Sequence, residues 1–90
     1  MTTHEPLTYY CDAARHLVCV PYATRNLHRM ALALGIGRWW FHGDGTYAHY
    51  DIPLSRVADV SAKCVVVRQR DILAIAKGTY RAAPAPPEAT

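Results

Sequence analysis

Ninety residues, 51% of them hydrophobic, are enough for one domain with one core and exclude a two-domain architecture. Ten basic against seven acidic side chains leave a net charge of +3, short of the dense basic stripe of a dedicated nucleic-acid binder. The three cysteines, Cys11, Cys19 and Cys64, lack C-x-x-C spacing, which argues against a disulfide framework or a zinc knuckle.

In chain order, MTTHEPLTYY has neither a charged n-region nor an apolar h-region, so no signal peptide is expected. No apolar run approaches the roughly 20 residues of a bilayer span, and a reducing cytoplasm is the expected location. Residues 1–6 read as a flexible start. Leu7 to Cys11 is β-prone through its tyrosines, and Asp12-Ala-Ala-Arg15 is a polar break. His16 to Val20, HLVCV, is a continuous apolar run closed by Pro21, the pattern of a strand buried on both faces. Thr24 is placed to cap a helix whose Leu27, Met30, Ala31 and Leu34 form one stripe, ended by Gly35.

Arg38 to His42, RWWFH, reads as another strand followed by the turn Gly43-Asp44-Gly45, with Ala48 to Ile52 pairing back on it. Adjacent tryptophans in a strand face opposite ways, so one of Trp39 and Trp40 belongs to the core. A second helix starts near Leu54, with Asp51 as cap and Pro53 in its first turn. Cys64 to Val67 reads as a buried strand, and Gln69 to Lys77 as a last helix stopped by Gly78. Residues 79–90 are proline- and alanine-rich and read as a disordered tail beyond a single domain of residues 7–78.

This order predicts an α/β domain: a small, three-to-five-stranded, partly parallel sheet flanked by about three helices. Ligands of such sheets bind outside the carboxyl ends of strands. The stretch from His42 to Arg56, HGDGTYAHYDIPLSR, gathers two imidazoles, two carboxylates, two phenols and a guanidinium at such a place.

The run HLVCVPYATRNLHRMALALGIGRWWFH, then HYDIPLSR and the RDIL helix, resembles the bacterial and phage family known as domain of unknown function 4031. The carrying residues are Asp12, His16, Leu27-His28, Trp40-Phe41 and His49-Tyr50-Asp51, across roughly residues 9 to 77. The resemblance implies a compact α/β fold and a small stand-alone protein, and brings no assigned activity. Many members carry an alanine-aspartate pair where this chain has Cys19-Val20-Pro21.

Three chemistries compete for the cluster. His42, His49 and Asp51 are a set of the kind that binds zinc or iron, but without H-x-x-x-H spacing or a nearby cysteine no metal or other cofactor is expected. A histidine pair oriented by Asp51 could serve acid–base attack on a phosphodiester, with Arg38 or Arg56 holding negative charge. Recognition without turnover of a phosphorylated or nucleotide-derived small molecule needs the fewest assumptions. Arg38, Arg56 and Ser55 would take the phosphate, while Trp39 or Trp40, Tyr47 and Tyr50 offer faces for a base.

The expected ligand-binding residues are therefore Arg38, Trp40, His42, His49, Tyr50, Asp51, Ser55 and Arg56, joined by His16 and His28, with no catalytic residue assigned. One form of this reading is a sponge for a nucleotide immune signal. His16 qualifies only if the first two strands are antiparallel; otherwise it sits at the wrong end of its strand. The basic residues Arg25, Arg29, Arg68, Arg70 and Lys77 read as solvated helix faces, which disfavours nucleic acid as partner. The size and aromatic content suit a homo-oligomer.

Overall fold

A computed structural model describes residues 5–81, in which three helices accompany a five-stranded mixed sheet. Residues 1–4 and 82–90, the outer parts of the expected flexible start and tail, lie outside the described residues. The elements are β1 (Thr8–Cys11), β2 (His16–Val20), α1 (Thr24–Leu34), β3 (Phe41–His42), β4 (His49–Asp51), α2 (Val57–Ser61), β5 (Val65–Val66) and α3 (Gln69–Lys77). The sheet order is β3-β4-β2-β1-β5. β5 pairs parallel to β1, and the other pairings are antiparallel, so β1, β4 and β5 run one way and β2 and β3 the other.

β2 is the central strand, and Leu17, Val18 and Cys19 are fully buried, as unbroken apolarity demands of a strand covered on both faces. Strand alternation divides the two sides. Leu17, Cys19 and Tyr50 face α1, which buries Leu27, Met30, Ala31 and Leu34. His16, Val18 and Val20 share the other face with Tyr10, and there α3 buries Ile72 and Ile75. Each such aliphatic side chain stabilises the fold by about 1.5–3 kcal/mol relative to exposure. Gly35 and Gly78 end α1 and α3 in the left-handed region at φ 73° and 76°, where a Cβ is costly.

Several local expectations need correction. Thr24 is the first residue of α1, after Ala23, and makes no capping hydrogen bond. Arg38 to Trp40 is a single 3-10 turn, leaving only Phe41–His42 as strand. Trp40 still packs against the core and Trp39 is 81% exposed, but the turn rather than a strand divides them. Asp51 belongs to β4 and caps nothing; a 3-10 turn, Leu54–Arg56, leads into α2 instead. β5 was expected to be buried, yet Val65 and Val66 are 46% and 62% exposed because β5 is an edge strand. Tyr80 packs edge-on against Tyr10 at 5.4 Å. Among the described residues, no helix is long and apolar enough to cross a membrane.

Candidate functional site

β1 and β2 are antiparallel, so His16 opens β2 at the same end of the sheet where β1 and β4 finish. His16 pairs with Asp51 across β2 and β4, and His42 pairs with His49 across β3 and β4. His49 and Asp51 are two apart on one strand and share its face. Three imidazoles and a carboxylate thus converge on one face of the antiparallel β2, β4 and β3, where His16 opens β2, His42 ends β3 and Asp51 ends β4.

The turn between β1 and β2 orients His16. Asp12 Oδ1 accepts the amides of Ala14 and His16 at 2.9 Å each, and Asp12 Oδ2 accepts His16 Nδ1 at 2.8 Å. The Asp12 side chain is only 1% exposed, so these three donors replace the water it has lost. Arg15 takes a left-handed φ of 70°, held by its amide on the Asp12 carbonyl and its own carbonyl accepting the Ile52 amide. That conformation costs a non-glycine residue about 1 kcal/mol and delivers His16 onto the sheet face. A carboxylate can only accept, so His16 Nδ1 carries the hydrogen and, in the neutral ring, Nε2 is a bare lone pair.

His49 repeats the logic with a backbone partner. Its Nδ1 lies 3.1 Å from the Tyr47 carbonyl, also only an acceptor, which in the neutral ring leaves Nε2 without a hydrogen, 3.3 Å from Asp51 Oδ1. His42 Nε2 lies 2.9 Å from the other carboxylate oxygen, Asp51 Oδ2, and its ring stacks on His49 at 5.4 Å. The His16 and His49 rings meet edge to face at 5.1 Å. His16 and His49 are mostly buried, whereas His42 is half-exposed.

Tyr47 joins this cluster to a hollow. Its ring lies 5.1 Å from His49 and 6.3 Å from His16. It also lines an open depression of about 440 Å³ with Thr46, Gln69, Arg70 and Leu73. Burial, and next the nearby charge of Asp12, push the Tyr47 phenol above its ordinary value. A second hollow, about 540 Å³, lies around Tyr10, Tyr22 and Lys77, with no histidine or carboxylate in its wall among the described residues.

The remaining expected site residues do not join the cluster. Arg56 forks onto Asp59 and donates to the Leu34 and Gly35 carbonyls at 2.7 and 3.2 Å, tying down the open end of α1. Ser55 is exposed in the turn before α2. Tyr50 is fully buried on the α1 face, where its hydroxyl is 2.7 Å from His28 Nδ1. Arg38 acts on this opposite side, lowering the Tyr50 and His28 pKa values, although burial dominates both and raises that of Tyr50. Trp40 packs on the core.

Asp12 and Arg70 were not among the expected binding residues, and Tyr47 was expected only as a face for a base. The signal for Asp12 was its D-x-x-x-H spacing across a turn, since aspartate readily accepts amides one to two residues on. Arg70 had no signal, because only the tertiary structure brings the start of α3 beside Tyr47.

No curated protein and no solved structure matches this chain. A family match covers residues 12–79, beginning at the aspartate that orients His16 and spanning every member of the cluster. Val20, where the chain departs from the family resemblance, pairs with Thr8 at the far end of β2, roughly 13 Å along the strand from His16. The chain belongs to the family described as Protein of unknown function (DUF4031).

Proposed function

We propose that the imidazole–carboxylate cluster hydrolyses a phosphate ester in a nucleotide-like small molecule seated in the Tyr47 hollow. The observation that carries this reading is Asp12. A buried carboxylate devoted to holding one imidazole in one tautomer is what orienting a working histidine requires. Binding alone would not need it.

The phosphate would meet the Arg70 guanidinium, a forked donor suited to phosphate oxygens, and the Tyr47 ring offers a face to a base. A lone pair at His16 or His49 Nε2 takes a proton from water. The water oxygen bonds to phosphorus, and the ester oxygen leaves with a proton. This differs from the recognition-only expectation because, of its intended phosphate ligands, Arg56 is occupied, Ser55 is remote and Arg38 acts on the opposite face beside Tyr50.

The test is product release from nucleoside phosphates, linear dinucleotides and cyclic dinucleotides, followed by chromatography. Turnover that disappears in His49→Ala, with fold and ligand affinity retained, supports hydrolysis. Binding with no product from any of these would replace it with stoichiometric sequestration. Neither binding nor product would remove both readings.

A further inference from the structure

We infer that His16 Nε2, His49 Nε2 and one Asp51 oxygen form the protein ligand set of a single divalent transition-metal ion of the zinc class. The inference uses the cluster of the hydrolytic reading but does not depend on its substrate.

The first support is that ligand atoms gather with no hydrogen bond joining them. His49 Nδ1 lies 3.1 Å from the Tyr47 carbonyl, and its Nε2 stands 3.3 Å from Asp51 Oδ1. His16 Nε2 is the third such atom, because Asp12 holds the hydrogen at Nδ1. One ligand atom from each of His16, His49 and Asp51 can be chosen so that all three lie within 4.8 Å of one another.

The second support is metrical. Zinc bonds of about 2.0–2.2 Å to nitrogen and oxygen put tetrahedral ligands roughly 3.3 Å apart. The His49–Asp51 edge already has that length, and the His16 ligand atom lies within 4.8 Å of both. Two imidazoles and a carboxylate suit zinc, and also iron(II) or manganese, better than calcium or magnesium.

The third support is the outer shell. Metal-bound histidines usually give their other N–H to a carboxylate or a backbone carbonyl, and here His16 has Asp12 and His49 has Tyr47. His42 Nε2 lies beside Asp51 Oδ2 at 2.9 Å, leaving the other oxygen for the ion. All three ligands stand on paired strands, which fixes their spacing better than loops would. Three protein ligands leave a position for water, the arrangement of catalytic rather than structural zinc. With the ion present, His16 and His49 give their lone pairs to the metal, and water activation passes from bare imidazole to the ion.

The experiment is calorimetric titration of chelator-treated full-length protein with Zn²⁺, and with Co²⁺ read by its visible absorption. The expected result is one ion per chain with a four-coordinate Co²⁺ spectrum. Affinity should fall at least tenfold in His49→Ala and Asp51→Ala, and on the order of 10- to 100-fold in Asp12→Asn, which removes no ligand. His28→Ala, on the opposite sheet face, should bind as wild type does. Circular dichroism accompanies each variant, and the wild-type titration stands even if one fails to fold. Absent saturable binding, or binding that survives His49→Ala unchanged, would overturn the inference. Hydrolysis that persists in metal-free protein would defeat the metal and spare the hydrolytic reading. One bound ion without any hydrolysis would do the reverse.

Discussion

Asp12 and His16 are joined twice, once through the His16 amide on Asp12 Oδ1 and once through His16 Nδ1 on Asp12 Oδ2, at 2.9 and 2.8 Å. The carboxylate thereby sets both where the histidine backbone turns and which ring nitrogen carries the hydrogen. Asp12→Asn separates these roles. The asparagine oxygen can still accept the two amides, but its NH₂ would face Nδ1 and drive the hydrogen to Nε2. Turnover should fall on the order of 10²-fold while the melting transition stays cooperative. Nitrogen NMR of the imidazole checks the tautomer; an unchanged tautomer with unchanged kcat/KM would rule out the orienting role.

The three clustered histidines should not be equivalent. His42 is 48% exposed and touches only the outer oxygen of Asp51, whereas His49 is 17% exposed and faces the inner one. His49→Ala should abolish turnover. His42→Ala should lower it only several-fold, by loosening Asp51. Steady-state kinetics of the two variants, with thermal melts as control, make the comparison, and equal losses would contradict this geometry.

Arg56 should behave as a structural residue. It bridges Asp59 to the last carbonyls of α1, and its guanidinium holds the Asp59 carboxyl below the usual carboxylate value. Arg56→Ala should lower the melting temperature and leave kcat/KM unchanged. A selective loss of activity at full stability would return Arg56 to the ligand site.

His28 sets a pH dependence of stability. Burial, with Arg38 adding to it, lowers its pKa in the folded chain. The unfolded chain therefore binds the proton more readily, so this contribution is full above the ordinary histidine value and is lost as pH falls toward the folded value. Urea unfolding from pH 7.5 down to 5 should show a decline in stability that is shallower in His28→Gln. An equal slope in both proteins would disprove the assignment.

Cys19 and Cys64 should resist alkylation. Burial is the main cause pushing their thiols up to about 11 and about 12. At pH 8 roughly one Cys19 thiol in a thousand is then the reactive thiolate, and fewer still at Cys64. Mass spectrometry after iodoacetamide should find both unmodified in native protein and modified in urea. Rapid native labelling at either would show that the sheet opens readily.

Much of the element order was legible because apolar periodicity survives in single segments. β2 occupies His16–Val20 as its apolar run indicates, and the stripe from Leu27 to Leu34 is the buried face of α1. RWWFH misled because three adjacent aromatics suit a strand by composition, whereas the chain turns through Arg38–Trp40 before β3. The valines of β5 misled because β-branching marks a strand without saying whether it lies at the centre or edge of its sheet.

The sequence by itself determined the chemistry on offer and its local constraints. Asp12 four residues before His16 is a short-range pair that a tight turn can close unaided. Only the tertiary structure decided that His16 stands opposite Asp51 and that Arg56 ends on the carbonyls of α1. The reason is register. Side chains alternate along a strand, so a slip of one residue between β2 and β4 would send His16 and Asp51 to opposite faces and dissolve the cluster with no change in composition.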